Sequence, residues 1–88
     1  MTRKILGRYI VADTEICHGK PTFNGTRIMV FQILEMVASG RDWNSISESW
    51  GGKVSREAIA EAVNLASQLF TDHIQDHISE YDVEPASA

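Results

Sequence analysis

From Val30 onward the apolar positions recur with a helical period, and ahead of it they do not. Val30, Phe31, Ile33, Leu34, Met36, Val37 and Ala38 leave only Gln32 and Glu35 as a solvated edge. That pattern predicts a helix apolar around most of its circumference and central to the core. Gly40 is placed to end it in the left-handed conformation. Asp42 or Asn44 can cap a second, short helix running to about Trp50, with Trp43, Ile46 and Trp50 turned inward, and Gly51-Gly52 breaks it. Ser55 is the next good N-cap, and Glu57 falls in the first turn, where its charge suits the helix dipole. The third helix begins at Arg56 and keeps its period through Ile59, Val63, Ala66, Phe70, Ile74, Ile78 and Tyr81. Ala58, Ala62, Leu65 and Leu69 widen its apolar face beyond what one small domain needs, so something else is expected to pack there.

The first 29 residues read differently. Residues 1–8 read as a flexible arm, Arg8 to Val11 as a short strand from its β-branched and aromatic content, and Ala12 to Glu15 as a polar turn. Asn24-Gly25 suits a two-residue type I′ turn, because both central positions of that turn need φ > 0. Lys20 to Phe23 and Thr26 to Met29 are then the arms of a β-hairpin, which with the first strand makes a small three-stranded sheet. The expected fold is mainly α: a three-helix helix-turn-helix, winged-helix-like core with a small N-terminal strand and β-hairpin and a long C-terminal helix. One domain spans residues 9–81, and residues 82–88 form a tail.

Length and charge narrow the picture. Eighty-eight residues supply one small core, so self-association could add stability, and a homodimer through the long helix is expected. The net charge of −4 hides an uneven distribution. All eight Lys and Arg lie between Arg3 and Arg56 with only five acids among them, a balance of +3, while seven acids and no Lys or Arg follow from Glu57 on, a balance of −7. Such asymmetry suits a polyanion-facing half and a half that faces something basic; the plainer alternative is an acidic solubilising tail. Cys17 is the single cysteine, which excludes an intramolecular disulfide. No apolar run has the length of a signal-peptide core or a membrane span, so a cytoplasmic protein is expected.

Candidate chemistry is sparse. Short helix, glycine-containing turn and long helix outline a helix-turn-helix, with the helix from Arg56 in the recognition position. Lys53, Ser55 and Arg56 near its start, with Arg27 on the hairpin, are the candidate DNA-contacting residues. Overall acidity opposes this, since phosphate neutralisation supplies most non-specific affinity. On the C-terminal helix Phe70, His73, Ile74, His77, Ile78 and Tyr81 are the candidate residues for a partner or dimer interface. His73 and His77 have the four-residue spacing of a metal-binding pair, but no third ligand accompanies them and no metal is expected. Adjacent Cys17 and His18 point to opposite faces of an extended chain and make no catalytic pair. Gly19-Lys20-Pro21-Thr22 lacks the spacing of a phosphate loop. No nucleophile, acid pair or cofactor motif emerges, and the chain does not read as an enzyme.

Ile16-Cys17-His18-Gly19-Lys20-Pro21, then Asn24-Gly25-Thr26-Arg27-Ile28, then Val30, resembles the signature of the small bacterial proteins grouped as domain-of-unknown-function family 433. The resemblance continues through Ile33-Leu34-Glu35-Met36 and Gly40 into Ser55 and Ala58 to Ala66, covering about residues 8–70. It implies a hairpin-flanked helix-turn-helix protein and an antitoxin role: inhibiting a PIN-like ribonuclease toxin by direct contact and repressing its own operon by binding operator DNA. The alternative is a protein-interaction or dimerisation module with no DNA-binding activity. Met29 stands where the family usually has proline, and Trp50-Gly51-Gly52 replaces its more usual Tyr-Pro.

Overall fold

The structure, a computed structural model, describes residues 2–81, with side chains described through residue 74. Strands β1 (Arg3–Ile5), β2 (Ile10–Asp13) and β3 (Thr22–Phe23) precede helices α1 (Val30–Ala38), α2 (Trp43–Ser49) and α3 (Arg56–Tyr81). The fold is mainly helical, with three helices and one small antiparallel sheet in the order β1-β2-β3. Ile10, Phe23, Ile28, Val30, Ile33, Ile46, Val54, Ala58, Ile59 and Ala62 form its core, to which both sheet and helices contribute. Ile10, Ile33, Ile46 and Ile59 are fully buried, each contributing roughly 1.5–3 kcal/mol relative to exposure.

The helix boundaries follow local chemistry. Asp42 Oδ1 accepts the Ser45 N–H at 3.0 Å and Ser55 Oγ the Ala58 N–H at 3.1 Å, so both expected N-caps are in place. Gly40 ends α1 at φ 93°, its N–H donating to Val37 O while the Arg41 N–H reaches Met36 O, the two bonds of a Schellman motif. α2 ends in the same way, Gly51 donating to Glu48 O and Gly52 to Ser47 O.

Strand β2 begins two residues later than expected and takes in Ala12 and Asp13 from the expected turn, and the N-terminal third departs from the expectation in three further respects. Residues 3–5 are not an arm but strand β1, in register with β2 through Arg3 opposite Asp13 and Ile5 opposite Val11. All three of its side chains are exposed, so only the backbone is used and no hydrophobic alternation marks it. The hairpin is present in shortened form: β3 pairs with β2, and the second arm is reduced to a bridge between Thr22 and Met29 and a bond from the Phe23 N–H to Ile28 O. Its turn is not type I′. Gly25 alone has positive φ, at 80°, and Thr26 N–H donates to Phe23 O, as in a type II turn. Third, Cys17 and His18 are not extended. They adopt φ 52° and 58° and, with Gly19, make a left-handed turn that swings the chain from β2 to β3.

α1 is less central than its composition implies. Val30 and Ile33 are buried, Leu34, Met36 and Val37 are half-buried, and Phe31 stays 47% exposed. A small three-helix body covers one face of α1 and leaves the rest open.

One carboxylate adds hydrogen bonds to the apolar core that joins sheet and helices. Glu61 on α3 accepts the Arg8 N–H at 2.8 Å and the Tyr9 N–H at 2.7 Å. It lies so close to Gly7 that a Cβ there would stand 2.6 Å from Glu61 Oε1. Glu61→Ala is therefore expected to cost about 1.5–3 kcal/mol, the range for hydrogen bonds to a charged group. Gly7→Ala forces the carboxylate off its donors and costs a similar amount. In the double variant the two losses should not add, because the second substitution removes an interaction already lost. Urea unfolding of the four proteins measures this cycle, and additive losses would show that Gly7 and Glu61 act independently.

Candidate nucleic-acid interface

The hairpin tip and the α2–α3 turn lie side by side, and between them runs an open concave surface of about 910 Å³. Arg27 and Lys53 both line it, together with Thr26, Gln32, Ser49 and Trp50. Lys53 also borders a smaller depression of about 240 Å³ shared with Arg8, Tyr9, Asn24 and Ser55. No acid lines either surface among the described residues. The Arg8 guanidinium lies over the Tyr9 ring at 5.6 Å from its centroid, and Arg3 donates to Asn24 Oδ1 at 2.8 Å. Cations from the N-terminal segment, the hairpin and the interhelical turn thus converge on one face.

Backbone-directed bonds hold that face in shape. The Thr26 hydroxyl donates to Phe23 O at 2.8 Å and accepts the Ile28 N–H at 3.0 Å, closing the turn from inside. Asn24 N–H donates to Tyr9 O at 2.8 Å, attaching the tip to the loop held by Glu61. Cys17 Sγ lies 3.6 Å from Arg27 O, linking the left-handed turn to the same hairpin. Where the tip returns to α1, Gln32 Oε1 accepts the Met29 N–H at 3.0 Å, a bond that proline at 29 could not make.

The family model described as "Protein of unknown function (DUF433)" matches residues 10–66. The chain belongs to that family. Neither the curated proteins nor the solved structures contain a significant match to it. In this DUF433 chain the Gly25-Thr26-Arg27 segment divides by role: Gly25 supplies the left-handed turn position and Thr26 the internal bonds, while the Arg27 side chain is left exposed at the surface.

The DNA-contacting residues expected from the sequence are only partly brought together. Arg27 and Lys53 share the large concavity. Ser55 borders the smaller one, but its hydroxyl already serves as the N-cap acceptor of α3, so its first role is structural. Arg56 lies round the corner, on a separate depression with Trp43, Ser47 and Glu57. Arg8, Asn24 and Trp50 belong to the face and were not expected. Arg8 reads in the sequence as the start of a strand, and Trp50 as core, although its side chain is only half-buried here.

Of the expected interface residues on α3, Phe70 is 67% exposed, His73 is exposed and Ile74 half-buried. The side chains of His77, Ile78 and Tyr81 lie outside the described residues. No group of three or more metal-ligating side chains occurs among the described residues, and no helix there is long and apolar enough to cross a membrane.

If Thr26 acts as the internal clasp of the turn, Thr26→Val should lower stability by about 1–3 kcal/mol, because the part-buried Ile28 N–H loses its acceptor while Phe23 O keeps only the Thr26 N–H. Thr26→Ser keeps the hydroxyl and should cost less. Chemical denaturation separates the two, and a neutral Thr26→Val would remove the structural role.

Proposed function

We propose that this DUF433 protein is an antitoxin of a bacterial toxin–antitoxin pair, which represses its own operon through the basic hairpin–turn face and neutralises a PIN-like ribonuclease with the acidic end of α3. The supporting observation is the convergence of Arg8, Arg27 and Lys53 around surfaces lined by no acid, in a chain whose net charge is −4. Phosphate recognition needs local positive charge on a shaped surface, and net charge matters less once the acids are elsewhere. In this reading α2, residues 50–55 and α3 act as a helix-turn-helix, with the β-hairpin beside the turn in the place of a wing. Arg56, at the first turn of α3, reaches bases or phosphates from the adjoining surface.

The toxin half of the reading rests on family resemblance and on charge. From Glu57 onward the chain carries seven acids and no Lys or Arg. A basic ribonuclease would be steered to that segment, and complementary charge favours the right partner as well as fast encounter. The alternative, an interaction module with no DNA role, is favoured by the same acidity; the two separate on DNA.

Binding to duplex DNA from the region upstream of the gene, followed by fluorescence anisotropy over a salt series, is the test. Affinity should fall as salt rises, and Arg27→Ala and Lys53→Ala should each weaken binding and lower the salt slope by about 1, as expected for a lost phosphate contact. Arg56→Ala should weaken binding as well. Wild-type protein that shows no salt-dependent affinity would overturn the repressor role. Failure to reverse growth arrest caused by a ribonuclease-like neighbouring gene would overturn the antitoxin role.

A further inference from the structure

α1 and α3 leave an apolar groove of about 420 Å³ on the side of the body formed by those two helices. Phe31 and Leu34 of α1 face Leu65 and Leu69 of α3 across it, Ala62 and Ala66 form part of its lining, and Lys20 stands at its border. Phe31 is 47% exposed, Leu69 50% and, just beyond, Phe70 67%. These three side chains alone leave on the order of 300 Å² of apolar surface in water, comparable to the largest patch a monomer ordinarily shows.

We propose that this groove is where a second copy of the chain docks, the two α3 helices crossing antiparallel over residues 62–71. Charge selects this occupant. Between Glu61 and Asp72, Ala62 to Thr71 is an uncharged stretch in a segment that otherwise carries acids at short intervals and no cation. Two copies of an acidic helix repel wherever their carboxylates oppose, and they meet without like charges only across such a window. A basic partner gains nothing from the uncharged stretch and is drawn instead to the acids beyond it. The small, half-buried side chain of Ala66 lets the helices approach closely, so Leu69 and Phe70 of each copy enter the groove of the other.

A stable interface covers about 800 Å² on each partner, so the three exposed side chains serve as its central anchors and the flanking turns of α3 supply the remainder. The contact is isologous, each surface being its own complement. It stands independently of the proposed DNA contacts, which lie on another surface.

Sedimentation velocity on the full chain over about 1–100 μM tests this, since a dimer in this range dissociates on dilution. Wild-type protein should form a dimer, and Leu69→Asp or Phe31→Asp should raise the dissociation constant at least about tenfold, with an unchanged far-UV spectrum because both positions are half exposed. Ile5→Asp, at a residue 72% exposed on β1 and away from the groove, should leave association intact. A wild-type monomer throughout the range, or a folded Leu69→Asp or Phe31→Asp dimer of wild-type affinity, would overturn the proposal. These readings are made without DNA or toxin, so their outcome is separable from that of the functional reading.

Discussion

Above the apolar core that sheet and helices share, the Glu61 carboxylate fastens the loop before β2 to the longest helix. It accepts two backbone N–H groups, from Arg8 and Tyr9, more than fifty positions away in the chain. Gly7 stands at the near side, where a Cβ would crowd the carboxylate. The effect is relayed outward. Tyr9 O accepts the Asn24 N–H, Asn24 begins the turn that Thr26 closes, and Arg27 follows within hydrogen-bonded structure next to the turn that carries Lys53. An acid that counts as part of the negative half of the chain is therefore what positions the positive surface.

Charge in this protein is separated by surface as well as by sequence. Arg8, Arg27 and Lys53 converge where hairpin and interhelical turn meet, and the acids after Glu61 lie beyond a ten-residue uncharged stretch of α3. Fields from exposed charges fade over roughly 8–10 Å at physiological salt. At that range a basic surface and an acidic helix end can act on different partners of the same molecule. The proposed assembly uses this separation: DNA at the hairpin–turn face, a second copy at the uncharged window, a basic protein at the acidic end.

Much of the helical part was legible in the sequence, because its signals are local. Asp42 and Ser55 cap the helices the pattern assigns to them, and Gly40 ends α1 where expected. β1 was not legible, since an edge strand with three exposed side chains leaves no alternation to read. The turn at Asn24-Gly25 was placed correctly but mistyped, because the Thr26 hydroxyl supplies bonds that favour a longer loop with one left-handed residue over a two-residue one. Cys17 and His18 carry no hint of positive φ; that geometry is imposed by the need to bring β3 back beside β2. At the site, Lys53 and Arg27 could be named from chemistry alone. The role of Glu61 could not, because a glutamate on a helix reads as solvated charge until its distant partners are known. The excess apolar width of α3 was visible, whereas the contribution of Phe31 was hidden within a helix that looked wholly buried.

The most direct test is amide hydrogen exchange of the protein with and without operator duplex, at a concentration where association is complete. Added protection on DNA binding is expected at residues 23–28 and 50–56, with residues 62–71, none of which lines the hairpin–turn face, unchanged. Protection that appears instead along the α1–α3 groove, or no change anywhere at saturating duplex, would contradict the assignment of the hairpin–turn face to nucleic acid.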